Sequence, residues 1–424
     1  MTGQSFHVAI IGGGLGGLCL AQSLRKSGIR FTVFERDVSP SSRPQGYRIH
    51  IDPQGSLALH QALPEPLWQI FVATGGQFAQ GFTVMTEQMR ELISVRADLR
   101  KIDRIAQHRS ISRIHLRRVL LAGIEDAVQF NKRFLRYEET QQGKIAVFFE
   151  DGSSAEADLL VAADGIHSRV RRQYLPDADP VETGVVGIGG RIPLNGRAMQ
   201  LLPRQVFDGP IMVLPSSPFS LFMALWKPAP EAQEHLKLLG GEFAQDDEPY
   251  LIFSLGGKLE RFGFESSSQA LPAETLRQAM RMAMTGWHPN LCALADCVDE
   301  AEFGLFPVRT SHPIPAWKSS RVTLLGDAIH SMTPYRGIGG NIALKDAALL
   351  SSQLAEVQSG QKSLLDAVAA YENSMRTYAF AAVADSRKAM EMANGAKHPV
   401  LFPAAKLAMR SINGILRWKR AAAL

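Results

Sequence analysis

The sequence predicts an α/β fold: a parallel-sheet body, interrupted by a mainly antiparallel β-sheet and followed by a C-terminal helical segment. Three observations point there. A glycine-rich turn, Gly12–Gly17, joins an apolar β-prone run to a helical stretch. Two more apolar runs, Leu159–Ala163 and Val322–Leu325, each enter a loop that carries an aspartate beside a glycine. Between those runs lie short strands at hairpin-like spacing. Strands alternating with helices argue for a parallel sheet, and closely spaced short strands for an antiparallel one. A length of 424 residues allows two or three domains, or one large α/β domain with an insertion.

Taken in order, Val8–Ile11 reads as a strand, Leu18 to about Ser27 as a helix, Gly28 as its stop and Phe31–Glu35 as a second strand, which makes a βαβ unit. Arg117–Asp126 reads as helical. Ile211–Leu214 and Phe219–Trp226 flank Pro-Ser-Ser-Pro, and Tyr250–Leu255 is another short strand. Along Phe219–Trp226 one face presents Phe219, Leu221, Met223 and Leu225, and the other Ser220, Phe222, Ala224 and Trp226. Both are apolar enough for core. From Asn341 to Arg387 the pattern is helical, and a last helix follows Pro399 and Pro403. The expected division assigns 1–70, 105–180 and 300–355 to the parallel-sheet domain, 71–104 and 181–299 to the inserted domain, and 356–424 to C-terminal helices.

Lys and Arg total 46 against 41 Asp and Glu, a net charge of +5. The tail Ala393–Leu424 holds Lys397, Lys406, Arg410, Arg417, Lys419 and Arg420 and no acid, so it carries +6 and the rest of the chain −1. A basic charge confined to one tail argues against a nucleic-acid-binding body. On a helical wheel, Leu401, Ala404, Ala405, Ala408, Ile412, Ile415 and Leu416 share one face of this tail, and Lys406, Arg410, Arg417 and Arg420 share the opposite face. Trp418 lies between the two faces, and Lys419 off the basic arc. The expected arrangement packs the apolar face on the body with the cations in solvent; the alternative is contact with a membrane or a partner. Three cysteines, Cys19, Cys292 and Cys297, make neither a disulfide framework nor a spaced metal motif, so no metal is expected. With no leader-like segment and no run of about 18 apolar residues, the chain is expected to be soluble and cytoplasmic. Nothing sets the oligomeric state.

Gly12-Gly13-Gly14-Leu15-Gly16-Gly17 matches G-x-G-x-x-G. Gly12 allows a tight turn, Gly14 lets backbone approach a pyrophosphate, and Gly17 lets helix and strand pack closely. The helix N-terminus offers N–H groups and partial positive charge to the phosphates. Glu35 follows 18 residues past Gly17, where a carboxylate can accept both ribose hydroxyls of an adenosine. This is a Rossmann-like dinucleotide site, and the motif alone does not decide between NAD and FAD.

Two further motifs are Asp164-Gly165-Ile166-His167-Ser168-Arg169-Val170-Arg171 and Gly326-Asp327-Ala328-Ile329-His330, the latter continuing through Pro334, Gly337, Gly339 and Asn341. With the first motif, in this order, they resemble the class A FAD-dependent monooxygenases, the para-hydroxybenzoate hydroxylase-like group that includes tetracycline-inactivating enzymes. The resemblance covers most of residues 5–390. It implies that Gly12, Gly14, Gly17, Glu35 and the neighbouring Arg36 hold the ADP half of FAD, and that Arg43 and Gly46 lie over the cofactor. It further implies that Arg113, before a helix, reaches FAD, and that Asp164 stands between FAD and the nicotinamide donor. Asp327 would accept the ribityl hydroxyls, Pro334 would lie beside the isoalloxazine, and Gly337, Gly339, Gly340 and Asn341 would present helix N–H groups to its pyrimidine ring. That last placement has independent physical support, since a helix N-terminus stabilises the negative charge of a reduced flavin. The chain departs from the family at Tyr335-Arg336-Gly337-Ile338-Gly339-Gly340, and at Gly46–Asp52, which is less glycine-rich than usual.

The resemblance implies that NADH or NADPH reduces FAD transiently. Reduced FAD and O2 would then give a flavin hydroperoxide, which hydroxylates an electron-rich aromatic or polyketide-like small molecule. No base follows from the family pattern. His50 is the candidate, because alternate residues around it face one side of a strand. Arg48 shares that face and could bind an acidic substrate. Both also read as ordinary strand residues. His330 reads as structural. A flavin-bearing non-redox scaffold such as a cyclase, and a reductase or dehydrogenase on the same fold, are the competing readings.

Overall fold

The computed structural model describes residues 6–40, 42, 47–75, 81–96, 103–240, 248–268, 271–398 and 400–421, with side chains as far as 417. The body is a five-stranded parallel sheet in the order β17-β11-β1-β2-β7, made of β1 (His7–Ile11), β2 (Arg30–Phe34), β7 (Val128–Gln129), β11 (Leu159–Ala162) and β17 (Val322–Leu324). β1, β11 and β17 are buried almost throughout, as expected for strands covered on both faces. A two-stranded ribbon pairs β3 (Arg48–Ile51) with β6 (Arg109–Ser112), and β8 (Phe134–Glu139), β9 (Ile145–Phe149) and β10 (Ser154–Ala157) form a meander.

The remaining strands form the inserted sheet, in the order β16-β12-β15-β14-β13-β4-β5: β4 (Gly81–Met85), β5 (Glu91–Arg96), β12 (Val181–Pro193), β13 (Ile211–Val213), β14 (Phe219–Trp226), β15 (Tyr250–Lys258) and β16 (Gly304–Thr310). It is antiparallel except between β4 and β13. Residues 304–310, which the sequence groups with the parallel-sheet segments, hydrogen-bond into this sheet instead. Phe219, Leu221 and Met223 of β14 enter its core, with Leu225 packed against it. On the other face Ser220 bonds Asn394, and Trp226 packs near His115 and Tyr250.

The helices are α1 (Leu15–Lys26), α2 (Pro53–Ala62), α3 (Glu65–Thr74), α4 (Arg113–Leu121), α5 (Arg169–Tyr174), α6 (Gly196–Leu201), α7 (Ala232–Lys237), α8 (Ala273–Ala283), α9 (Pro289–Ala295), α10 (Asp327–His330), α11 (Gly339–Gln358), α12 (Leu364–Asn394) and α13 (Leu401–Ala421). α4 starts and ends earlier than its apolar pattern suggests. Ser112 caps it by accepting from the Ile114 N–H at 3.2 Å, and Gly123 turns the chain away at φ +77°. The helical stretch after Asn341 is two helices, because Gly360 takes φ +76° and Ser363 caps α12 by accepting from the Asp366 N–H.

α13 corrects the expected packing of the tail. Its polar side grips the edge strand β5: Asn413 accepts from the Ser94 N–H at 3.1 Å and donates to Glu91 at 2.8 Å, and Arg417 pairs with the same carboxylate at 2.9 Å. Lys406 pairs with Glu87 at 3.4 Å. The expected core face, Leu401, Ala404, Ala405, Ala408, Ile412 and Ile415, is exposed, and only Leu416 of that set is half-buried. The covered side is mixed: Phe402, Met409 and Leu416 are half-buried beside Lys406 and the buried Asn413, while Arg410 and Arg417 stay exposed.

Candidate cofactor and active site

Gly12 follows β1, Glu35 follows β2, and Asp164 and Asp327 stand two and three residues past the ends of β11 and β17. The strands run parallel and in register, Ile11 beside Phe34 and Ala162, and Ala162 beside Leu324. All four loops therefore leave the same edge of the sheet, where open α/β sheets bind ligands.

Gly12 takes φ +109°, and a Cβ there would stand 2.4 Å from the Ala163 carbonyl oxygen. A Cβ on Gly17 would stand 2.2 Å from the Gly12 carbonyl oxygen, and one on Gly14 would meet nothing within 4 Å. Tight turn, close packing and open approach thus fall on the three motif positions in that order. Glu35 is buried and braces the loop, with one oxygen accepting from the Gly13 N–H at 2.6 Å and the other from the Asp37 N–H at 2.9 Å. Arg117, which sequence reasoning missed, is buried beneath the turn. It donates to the Gly13 carbonyl at 3.1 Å and the Pro40 carbonyl at 2.6 Å, with Glu35 and Asp37 about one contact further out, at 4.0 and 3.9 Å. Its only sequence signal was the four-residue spacing from Arg113, which puts both on one face of α4.

Arg113 opens α4 with an exposed side chain, close enough for its charge to act on Asp327. Arg36 is exposed, near His167. Arg43 and Gly46 lie outside the described residues. Asp164 accepts from the Arg169 N–H at 2.9 Å through one oxygen, and its other oxygen is buried without a protein partner. Burial pushes its pKa up. The Asp327 carboxylate is solvent-accessible, yet enough protein surrounds it that desolvation pushes its pKa up as well. A carboxylate reached by solvent but walled by protein belongs to a crevice.

Behind Asp327 lies a buried network that sequence reasoning did not assemble. Asp346 accepts from the Gly326 N–H at 2.8 Å and from Tyr378 at 2.5 Å, and contacts His330 Nε2 at 2.5 Å. Burial alone would keep His330 neutral, but the Asp346 charge outweighs it and holds its pKa above the ordinary value. His330 therefore anchors the turn from inside.

Pro334 and Gly337 are exposed and Gly339 and Gly340 half-buried, at the start of α11. Asn341 turns its side chain to β3, accepting from the Asp52 N–H and donating to the His50 carbonyl, both at 2.9 Å. The departures from the family pattern have local partners: Arg336 pairs with Asp385 at 2.6 Å, and Tyr335 accepts from Asn394 at 2.6 Å, linking the loop to α12. Arg48 and His50 share the half-buried face of β3. Arg48 donates to Ser110 at 2.8 Å, and its backbone N–H to Tyr250 at 3.0 Å. His50 Nε2 lies 3.0 Å from His108 Nδ1 with the rings stacked. Burial first, then His108 and Arg48, push the His50 pKa down to about 4, so it is neutral at pH 7. His108 was not foreseen; nothing in the sequence ties it to a position 58 residues earlier.

A dinucleotide-binding α/β body with an inserted antiparallel sheet is the class that fold and site define. The family described as "FAD binding domain" matches residues 5–235 and 305–386, and the chain belongs to it, among the class A FAD-dependent monooxygenases. The dual O-methyltransferase/FAD-dependent monooxygenase CTB3 of Cercospora beticola is 32% identical over 89% of this chain, which spans 45% of that protein, under half its length. A crystal structure assigned as an FAD containing monooxygenase from Photorhabdus luminescens subsp. laumondii TTO1 is 37% identical, with TM-score 0.80 over 92% of this chain and 99% of that one. Klebsiella pneumoniae HpxO, solved with FAD and uric acid, is 25% identical, with TM-score 0.75 over 96% and 93% of the two chains.

Proposed function

We propose that this chain is a monooxygenase that uses FAD and NADH or NADPH to insert one atom of O2 into an electron-rich aromatic or polyketide-like small molecule. The observation that carries the reading is the convergence of the glycine-rich turn, Glu35, Asp164 and Asp327 on one sheet edge, beside the start of α11. These residues fit FAD: there is open space at Gly14, an orphaned buried oxygen on Asp164 and a walled carboxylate on Asp327. Gly12, Gly14 and Gly17 with the α1 N-terminus would hold the pyrophosphate, and Glu35 and Arg36 the adenosine. Arg43, Gly46, Arg113 and Asp327 would hold the middle of the cofactor, with Asp164 toward the nicotinamide donor. Pro334, Gly337, Gly339, Gly340 and Asn341 would border the ring. Bound FAD supplies electron transfer from the nicotinamide and activation of O2.

The chain's own residues position the substrate and manage its proton. Residues 1–70, 105–180 and 311–355 would carry the cofactor, and 71–104 and 181–299 with β16 would wall the substrate. Arg48 would orient an acidic or phenolic group. Neutral His50 would take a phenolic proton at one ring nitrogen and pass one to His108 at the other, across their 3.0 Å contact. The uric acid bound in the HpxO structure supports an electron-rich ring as the substrate class.

Purified protein should absorb at about 450 nm as oxidised flavins do. Given NADH or NADPH and a panel of hydroxylated aromatics under oxygen-18 gas, it should yield a product carrying one labelled oxygen atom. A colourless protein that FAD does not reconstitute sinks the cofactor assignment; nicotinamide oxidation with no label in any product favours a reductase.

A further inference from the structure

α13 covers a mixed side on its own body, with Phe402, Met409 and Leu416 half-buried beside Lys406 and the buried Asn413, and leaves most of its other apolar residues facing outward. Asn413, buried, together with Lys406 and Arg417 engages β5 and the turn before it, through Ser94, Glu91 and Glu87. Outward stand Leu401 at 65% exposure, Leu407 at 64%, Ile412 at 48% and Ile415 at 55%, with Val400 just ahead at 68%. Ala404, Ala405 and Ala408 fill the spaces between them. On an α-helix these positions share one arc of about 160°, interrupted by Ser411, with Arg410 exposed beyond its edge. Large contiguous apolar surface of this kind marks a site of contact.

Charge selects the occupant. Residues 393–424 contain six cations and no acid. Glu87 and Glu91 pair with Lys406 and Arg417, Lys397 donates to the Met392 and Ala393 carbonyls, and Arg410 is exposed on the flank; the sequence adds two more cations, Lys419 and Arg420. A second copy docked on the same face would set cations against cations. A surface of negative charge over an apolar layer matches both parts of the helix, and that describes a bilayer containing anionic lipid. Among the described residues no helix is long and apolar enough to cross a membrane, so the contact would be interfacial. We propose that the outward face of α13 docks this protein on an anionic lipid surface. The contacts of Asn413 and Arg417 with β5 and of Lys406 with Glu87 hold that face outward without any rearrangement, so docking requires no unfolding of the body.

The test uses the full-length, FAD-loaded protein in vesicle flotation. Removing α13 would also uncover the edge of β5, so the outward face is altered by point substitution instead. The wild type should float with phosphatidylcholine vesicles containing phosphatidylglycerol, less so as salt rises, and not with phosphatidylcholine alone. Ile412→Glu with Ile415→Glu should lower partitioning at least about tenfold, since burying each isoleucine is worth about that factor or more, while flavin content and monodispersity stay unchanged. Arg410→Glu should weaken binding to anionic vesicles alone. Absence of wild-type flotation, or flotation of the double variant equal to wild type, overturns the proposal. So does a wild-type dimer in light scattering that the double variant splits, because the face then belongs to a second copy.

Discussion

Gly12 and Gly14 lie two residues apart and are needed for opposite reasons. At Gly12 both φ +109° and the Ala163 carbonyl exclude a side chain, so Gly12→Ala should cost about 2–4 kcal/mol in stability, read as a fall in the urea midpoint. At Gly14 the backbone is extended and the space is open, so Gly14→Val should leave the midpoint nearly unchanged. The same substitution should weaken FAD by about a hundredfold or more, about 3 kcal/mol by titration calorimetry; full flavin occupancy in that variant would refute the placement of the pyrophosphate. His50 gives a pH signature. Its pKa in the fold is about 4 against an ordinary 6.5, so protonation favours the unfolded chain. The stability it contributes is complete above about pH 6.5 and is lost as pH falls toward about 4, a loss of about 3 kcal/mol. His50→Gln should flatten that part of the stability profile relative to wild type. The glycines were legible in the sequence because a turn is a local pattern. Arg117, His108 and Asp346 were not, because each gains its meaning from partners brought together by the fold.

At the scale of elements, α11 orders the site by what its first turn touches. Asn341 ties the start of α11 to the end of β3 through the His50 carbonyl and to the α2 cap through the Asp52 N–H. Asn341→Ala removes a donor and an acceptor at once and should cost about 2–3 kcal/mol in urea unfolding. It should also loosen β3, so that Arg48 and His50 lose their alignment and KM for a phenolic substrate rises with little change in flavin content; an unchanged KM would separate β3 from the substrate. The existence of α4, α11 and α12 could be read from apolar periodicity, but their limits could not. Those limits rest on Ser112, Gly123, Gly360 and Ser363, single residues whose capping or left-handed geometry outweighs the surrounding pattern. Orientation was less legible still. The wheel divides α13 into two faces, but the polar partners of the covered side, Glu87, Glu91 and Ser94, lie more than 300 residues earlier.

For the whole molecule, the parallel sheet with its inserted antiparallel sheet could be inferred from the motif order, because cofactor motifs flank the run of short strands. The membership of β16 could not, since a strand between two sheets declares its side only by its hydrogen bonds. α13 closes an exposed edge: β5 ends the inserted sheet, and Asn413 occupies the Ser94 N–H. Deleting 401–424 should therefore give protein that keeps its flavin yet associates through β5, seen as an intermolecular β signal in infrared spectra; a truncated chain that stays monomeric would show that the edge needs no cover. The strand order β17-β11-β1-β2-β7 also bears on how the protein is made. The first strand of the sheet leaves the ribosome with the glycine-rich turn, but the last one, Val322–Leu324, and the turn carrying Asp327 follow some three hundred residues later. Until then β11 pairs with β1 on one side only and the cleft lacks a wall. Flavin capture is thus a late event in synthesis, and nascent chains stalled before Val322 should retain none.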